Sequence, residues 1–182
     1  MTDLTTGHVF IAMSLDGFIA RTDGSINWLL RQDTGEEDHG FDAFISGMDG
    51  LVMGSGTFRS VQEFDPWPYK VPVVVMSASM TVDDIPERLR GGVEISGERP
   101  EALMERLKSR GWKRAYVDGG QVIQSFLRAG LIVDMTVTVI PILIGEGRGL
   151  FGAVDRDIDL ELTDVKSFPS GLVSNTYRVI TA

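Results

Sequence analysis

Four short stretches of small and polar residues stand directly after apolar runs. They are SLDG (14–17), GSGT (54–57), SAS (77–79) and DGG (118–120). Glycine lets a backbone approach a ligand without a Cβ atom in the way, and a helix that begins at such a turn directs free N–H groups toward an anion. Helical patterns follow GSGT and DGG at once. If the preceding runs are parallel strands, all four stretches meet at one edge of a sheet, and they predict a site for a phosphorylated ligand.

Asp16, which ends the first of these stretches with Gly17, has two open roles. An Asp-Gly pair is an ordinary turn former whose carboxylate bonds its own backbone. The run before it, 9–13, shows no alternation of polar and apolar residues, which is typical of a strand covered on both faces. Ligands bind at the carboxyl ends of such strands. Asp16 is therefore a candidate catalytic residue as well as a candidate turn residue.

The elements that must position these stretches alternate along the chain. Apolar runs rich in β-branched residues recur at 8–13, 51–53, 72–76, 92–95, 114–117 and 133–144. Helical periodicity lies between them, starting near residues 41, 58, 100 and 122. After residue 157 the pattern alternates on both sides of FPSG (168–171), which indicates an antiparallel hairpin. The sequence predicts one α/β domain over 1–182, a three-layer sandwich with a mixed, mainly parallel central sheet and a C-terminal antiparallel hairpin.

Two polar stretches outside the strand ends are interpreted from what surrounds them. TGEEDHG (34–40) precedes a helical pattern and is predicted to be the start of that helix, where acidic residues favour the helix dipole. GEGRG (145–149) has the wrong glycine spacing for a phosphate loop, and LFG rather than a helix follows it. We therefore predict a turn there.

The amino-acid composition limits the classes of partner that the protein can bind. The 182 residues carry a net charge of −9, which argues against nucleic acid or an anionic membrane but leaves room for a small anionic ligand in a locally positive pocket. There are no cysteines and two histidines, so thiolate chemistry and disulfides are excluded and we expect no metal site. No apolar run is long enough to span a membrane, and no signal-peptide pattern opens the chain. We expect a cytoplasmic protein.

Five motifs, in order and at compatible spacing, resemble those of one known family. They are MSLDGFIARTDGSINWL, VMGSGTF, VVVMS, YVDGGQVIQSFL and LIVDMTVTVIPILIGEGRGLF, and together they cover residues 8 to about 151. Each is common alone, but the set in register resembles the reductase domain of bacterial riboflavin biosynthesis, a relative of dihydrofolate reductase. The resemblance implies an NAD(P)H-dependent reductase that transfers hydride to a C=N or C=O of a pterin- or pyrimidine-like heterocycle.

The same resemblance implies where a cofactor would bind, with NADPH expected and NADH as the alternative. The nicotinamide is expected at the carboxyl end of the first strand, and the pyrophosphate between the GSGT and DGG turns. The expected cofactor-binding residues are Ala12, Gly17, Gly54, Ser55, Thr57, Ser77, Gly119, Gly120 and Gln121. In relatives the Gly-Gly peptide is cis, so a cis Gly119–Gly120 bond is expected here.

The resemblance implies substrate-binding residues as well, but for some roles it leaves more than one candidate. In dihydrofolate reductase a helix at the corresponding place carries a substrate-binding carboxylate; counting back from GSGT assigns this role to Asp38, whereas counting forward from Trp28 assigns it to Asp33. Trp28 and Trp67 are expected in the substrate wall, although each would equally serve to cap the core. Arg148 is expected to meet a substrate phosphate. Asp16, with the resemblance, is expected to face the substrate or the cofactor ribose.

The chain departs from the family pattern at two positions. Relatives usually carry arginine where this chain has Ser55, and many carry it where this chain has Ala78. Those arginines meet the adenosine 2′-phosphate of NADPH, so the cofactor preference stays open, with Arg59 as a substitute. Their loss also favours an alternative function, a non-catalytic nucleotide- or pterin-binding module. Relatives dimerise, often through the C-terminal strands, and a homodimer is expected.

Overall fold

The computed structural model describes residues 4–180. The strands within them are β1 (Thr6–Ser14), β2 (Phe18–Ala20), β3 (Gly50–Gly54), β4 (Val73–Met76), β5 (Val93–Ser96), β6 (Arg114–Asp118), β7 (Ile132–Ile140), β8 (Arg148–Gly149), β9 (Leu160–Ser167) and β10 (Val173–Val179). The helices are α1 (Asn27–Leu30), α2 (Phe41–Ser46), α3 (Ser55–Val61), α4 (Pro100–Ser109) and α5 (Gly120–Arg128).

One eight-stranded sheet forms the middle layer, in the order β5-β4-β3-β6-β1-β7-β10-β9. The first six strands in this order pair in parallel, and β10 runs antiparallel to both β7 and β9. The strand runs in the sequence are apolar without alternation because helices cover both faces of the parallel part. The predicted fold class, including the C-terminal hairpin, is confirmed.

Two apolar cores flank the sheet. One lies between the sheet and helices α4 and α5, with Leu103, Met104 and Phe126 fully buried. The other lies on the opposite face under α2 and α3, where Phe58 is fully buried and Phe44 packs beside it. The helices are thus held on opposite sides, and the turns that precede α3 and α5 both open at the carboxyl edge of the sheet.

Three local predictions need correction. The run 133–144 was expected to be strand throughout, but β7 ends at Ile140 because Pro141 has no N–H for the ladder. The stretch 34–40 is a loop, and α2 begins only at Phe41, after Gly40 with φ 85°. The stretch 145–149 contains β8, which pairs antiparallel with β2, since its glycines permit close backbone contact.

Strand β9 forms one edge of the sheet and is exposed along its whole length. A register shift opposite Thr176 and Tyr177 puts one extra residue into β9, so that Leu160, Leu162 and Val165 all lie on one face. Their exposed fractions are 42, 54 and 53%. Three large apolar side chains in a row on one uncovered strand are unusual for a monomer surface.

No helix found between residues 4 and 180 has the length and apolar character needed to cross a membrane.

Candidate active site

The four polar stretches meet at one edge of the sheet, as predicted. Strands β4, β3, β6 and β1 are consecutive and parallel, so that their carboxyl ends lie side by side. Met53 of β3 stands opposite Asp118 of β6. Helix α3 starts directly after β3, and α5 starts directly after Gly119. The two helix starts are therefore neighbours, with their backbone N–H groups toward the same edge.

The turn between β6 and α5 requires glycine. Gly119 has φ 93° and ψ 134°, a conformation that side-chain-bearing residues avoid. A Cβ atom there would stand 2.6 Å from the Thr57 hydroxyl oxygen and 3.7 Å from the Gly54 nitrogen. Bare backbone at this point therefore lets the starts of α3 and α5 approach each other. We call Gly54, Ser55, Gly56, Thr57, Gly119 and Gly120 the glycine cradle.

The Gly119–Gly120 peptide is not cis, so that expectation is wrong; in the described part of the chain the cis peptide is Asp65–Pro66. The positive φ of Gly119 alone turns the chain from strand into helix. Gly120 has a different use: a Cβ there would stand 2.6 Å from the Gly149 carbonyl oxygen. Its missing side chain makes room for strand β8, which lies on the start of α5.

Arg148 projects from β8 toward the cradle rather than toward either candidate tryptophan. One of its guanidinium nitrogens stands 3.3 Å from where a Gly56 Cβ would be, and the other 3.3 Å from where a Gly24 Cβ would be. The side chain donates a hydrogen bond to the Thr22 carbonyl at 3.3 Å. The sequence predicts that Arg148 meets a substrate phosphate; the structure places its guanidinium beside Gly56 of the glycine cradle.

Asp16 is bound by the protein itself. Its carboxylate accepts hydrogen bonds from the Ser14 hydroxyl at 2.5 Å and from the Gly145 N–H at 2.8 Å, and the Ile144 N–H contributes a third. These donors, the Ser14 hydroxyl first, hold the pKa of Asp16 below its ordinary value despite partial desolvation. Asp16 ties the turn after β1 to the loop after β7. This contact gives Asp16 a structural role, and its contact with substrate or cofactor stays a prediction.

The two acidic residues proposed for the substrate carboxylate are both exposed, and each accepts a hydrogen bond within its own loop. Asp38 is exposed and accepts the Gly40 N–H at 2.7 Å, just before α2. Asp33 is exposed and accepts the Gly35 N–H. Both side chains shape their own loop, because the segment between α1 and α2 is longer and less helical than the spacing argument assumed.

His39, in the same loop, packs on Phe168 with ring centroids 4.4 Å apart, and both ring nitrogens are buried without a hydrogen-bond partner among the described residues. Its Nε2 lies 3.7 Å from the Glu37 carboxylate. That carboxylate accepts hydrogen bonds from the Ser170 N–H and hydroxyl. Both bonds lower the pKa of Glu37, and the hydroxyl has the larger effect. The loop is thereby fixed to the β9–β10 turn.

Both candidate tryptophans have core contacts. Trp28 is fully buried beside Ile140 and Phe168, with Ala12 packed against the same cluster. Its indole N–H has no partner in residues 4–180. Trp67 is half-buried, with ring centroids 5.2 Å from Tyr69 and 6.3 Å from Phe58. Trp28 therefore lies in the core with an unpaired indole N–H, Trp67 packs against the core under α3, and a role for either in the substrate wall stays a prediction.

The remaining expected cofactor residues also lie along this edge. Ser77 follows β4, and its hydroxyl accepts the Met80 N–H at 3.1 Å, so that it shapes its own turn. Gln121 is exposed in the first turn of α5. Gly17 has φ 88°, and its carbonyl accepts the Leu150 N–H. Ala12, on β1, packs against the Trp28 cluster from the sheet side.

Asp118 is the site residue that the sequence argument missed. It is the last residue of β6, and its carboxylate accepts the Gly119 N–H at 2.8 Å. The residue is partly exposed, and desolvation by the surrounding protein raises the pKa of its carboxyl group from 3.8 to about 6 although the Gly119 bond opposes the shift. Burial, and then the charge of Asp118, raise the pKa of Tyr69 and of Tyr116 as well. An acid that titrates near neutrality at the end of a central strand is a candidate for proton transfer.

No group of three or more histidine, cysteine, aspartate or glutamate side chains in the described part of the chain could hold an ion.

A mainly parallel sheet covered by helices on both faces, with strand β7 extended by an antiparallel hairpin and glycine turns ahead of α3 and α5, defines a dihydrofolate reductase-like α/β fold. Comparison with known proteins agrees. Residues 5–174 match the family model described as RibD C-terminal domain. The chain belongs to this family, which places it among the oxidoreductases.

Individual relatives show the same arrangement. A candidate riboflavin biosynthesis protein from Shewanella sp. PV-4 superposes with a TM-score of 0.90 at 35% identity, covering 97% of this chain and 100% of that one. The uncharacterized protein YwjB of Bacillus subtilis is 31% identical over 164 residues, which are 88% of this chain and 90% of YwjB. Acinetobacter baumannii RibD, at 18% identity and a TM-score of 0.71, shares the fold; the match spans 99% of this chain and 59% of that one.

Proposed function

We propose that this protein is an NAD(P)H-dependent reductase that transfers hydride to a C=N or C=O of a pyrimidine- or pterin-like heterocycle. The observation that carries the proposal is the glycine cradle beside Asp118: bare backbone at two adjacent helix starts, next to an acid with a pKa of about 6. Family membership and the candidate riboflavin biosynthesis protein of Shewanella support a pyrimidine as substrate.

The residues present fit the cofactor. Space at Gly56 and Gly119 would be filled by any Cβ atom, which is the condition for close approach of a pyrophosphate to backbone N–H groups. The glycine cradle would hold the pyrophosphate, while Ala12 and Gly17 would border the nicotinamide. When bound, the reduced nicotinamide supplies the hydride; the protein contributes position and a proton.

Asp118 is the proposed source of that proton. Its carboxyl remains partly protonated up to about pH 6 because burial opposes its ionisation. A group with a pKa close to the working pH both donates and regains a proton readily. Its position at the end of β6, one residue before the cradle, puts it beside the expected cofactor site.

The first test is a binding titration with NADPH and, separately, NADH, followed by quenching of the three tryptophans. We expect micromolar dissociation constants for at least one cofactor. The matched variant is Gly56→Asp, which adds a carboxylate to the cradle on a Cβ 3.3 Å from an Arg148 guanidinium nitrogen and repels the phosphates. It is expected to fold and to bind the cofactor at least about tenfold more weakly.

Gly91→Asp is the control, because a Cβ at Gly91 meets nothing within 4 Å and lies far from the cradle, ahead of β5. It is expected to leave both affinities unchanged. Absence of binding by the unmodified protein up to millimolar cofactor would reject the reductase and favour the alternative, a nucleotide- or pterin-binding module. Ser55 and Ala78, which stand where relatives carry arginine, are the residues that favour that alternative.

We propose further that the protein is a homodimer formed through β9. The support is the uncovered row of Leu160, Leu162 and Val165. Sedimentation velocity is expected to show a dimer, and Leu162→Lys is expected to yield monomers because it puts a charge into an apolar interface. Leu143→Lys, at a position 69% exposed in the loop after β7, is the control and is expected to remain dimeric. A monomeric unmodified protein would contradict the proposal.

A further inference from the structure

The backbone that carries Arg148 is fixed over the start of α5. Strand β8 pairs with β2 through Ala20 and Arg148, and a Cβ at Gly147 would stand 2.3 Å from the Ala20 carbonyl oxygen. The Gln124 side chain donates to the carbonyls of Gly149 and Leu150 at 3.3 and 3.2 Å. Together with Gly149 against Gly120, these contacts hold the Arg148 backbone in one place relative to the cradle.

The Arg148 charge is not compensated by a neighbour. It makes no ion pair with any residue between 4 and 180, whereas Arg106, Arg110 and Arg178 each pair with a glutamate. Its side chain donates a hydrogen bond of 3.3 Å to the Thr22 carbonyl, which carries no charge. In a chain of net charge −9, an exposed and unpaired guanidinium held beside bare backbone is a place to which an anion is attracted.

Resting on the proposed function, we propose that Arg148 binds the pyrophosphate of the cofactor, and neither the substrate nor the adenosine 2′-phosphate. The guanidinium reaches Gly56 in the first turn of α3. The pyrophosphate is expected at this part of the edge, and the adenosine further along the sheet, at Ser77 after β4. Substrate contacts are expected near Asp118 and Trp67.

This assignment has a consequence for cofactor choice. The pyrophosphate is common to NADH and NADPH, so that an arginine bound to it raises the affinity for both by the same factor. At Ser55 and Ala78 the chain has no cation. The protein is therefore expected to discriminate weakly between the two cofactors.

The test measures dissociation constants of NADH and NADPH for Arg148→Ala and Arg148→Lys by tryptophan quenching, without any need for a substrate. Arg148→Ala is expected to weaken both cofactors equally, by about tenfold or more, as loss of a charge-assisted hydrogen bond requires. Arg148→Lys is expected to lie between, since lysine keeps the charge but not the planar fork. Unchanged thermal unfolding would show that the variants fold.

Arg128→Ala is the matched control. Arg128 is an exposed arginine in the last turn of α5 that donates to the Ala153 carbonyl, far from the cradle. It is expected to leave both dissociation constants unchanged, which removes general loss of positive charge as an explanation.

Other outcomes separate this inference from the proposed function. Loss of affinity for NADPH alone would overturn the assignment and place Arg148 at the 2′-phosphate. Unchanged affinity for both would overturn it and return Arg148 to the substrate side, with the reductase proposal intact. If the unmodified protein binds neither cofactor, both proposals fail.

Discussion

Replacing Asp118 by asparagine is expected to make the protein more stable at neutral pH. The folded pKa of about 6 lies well above the ordinary value of 3.8, so that between these two pH values the folded state binds more protons than the unfolded state. Ionisation at neutral pH therefore opposes folding. The difference of about two pH units corresponds to about 2–3 kcal/mol. Asparagine is neutral and still accepts the Gly119 N–H.

The pH dependence gives this prediction its sign. Below about pH 3 the carboxyl is protonated in both states, and the variant has no advantage. As the pH rises toward 6 the unmodified protein loses stability relative to Asp118→Asn, and above about pH 6.5 the difference stays constant. Urea unfolding of both proteins at several pH values measures this directly. Equal stability at pH 7, or a less stable variant, would show that the carboxyl is not destabilised in the folded state.

The exposed residue Asp155, in the loop after β8, provides the control, since Asp155→Asn is expected to change stability by less than about 0.5 kcal/mol at every pH. The functional half of the prediction concerns turnover. With a heterocyclic substrate in hand, Asp118→Asn is expected to lower kcat about 10²-fold through loss of the proton donor, while the cofactor affinity stays within a few-fold. A gain in stability with a loss of rate is the usual sign of a residue retained for function.

The sheet and its polar edge could be predicted because their signals are local. Continuous apolar runs such as 72–76 and the helical periods between them are properties of neighbouring residues. A right-handed parallel arrangement then brings their carboxyl ends together without further information. Glycine turns such as DGG, followed at once by a helix, mark the edge for the same reason.

The candidate site was predicted less completely because its chemistry depends on contacts between distant segments. Nothing in GEGRG reveals that β8 pairs with β2 and carries Arg148 to the glycine cradle. Asp118 was not predicted as a site residue, because the sequence does not show the desolvation that raises the pKa of its carboxyl group. Asp38 was selected by counting residues along a loop whose length the sequence pattern does not determine, and its role stays a prediction. The sequence made Asp16 a candidate ligand-binding residue, but it could not show that N–H groups of the loop after β7 donate hydrogen bonds to its carboxylate.

The largest loss of stability is expected from Gly119→Ala. Two terms add: alanine avoids the conformation at φ 93°, at a cost of about 1–3 kcal/mol, and its Cβ would stand 2.6 Å from the Thr57 hydroxyl oxygen, a further 1–3 kcal/mol or so of overpacking. We expect the free energy of unfolding to fall by about 3 kcal/mol or more. Urea denaturation measures it, with Gly91→Ala, where nothing lies within 4 Å, as the control.

A double variant separates the two terms. Thr57→Ala removes the hydroxyl that Cβ would meet, so in that background Gly119→Ala is expected to cost at least about 1 kcal/mol less, leaving the backbone strain. Strictly additive effects on the free energy of unfolding would show that the Thr57 side chain does not limit the space at residue 119. Coupling would show instead that the two helix starts are held in contact through bare backbone, which is the property on which phosphate binding at the glycine cradle depends.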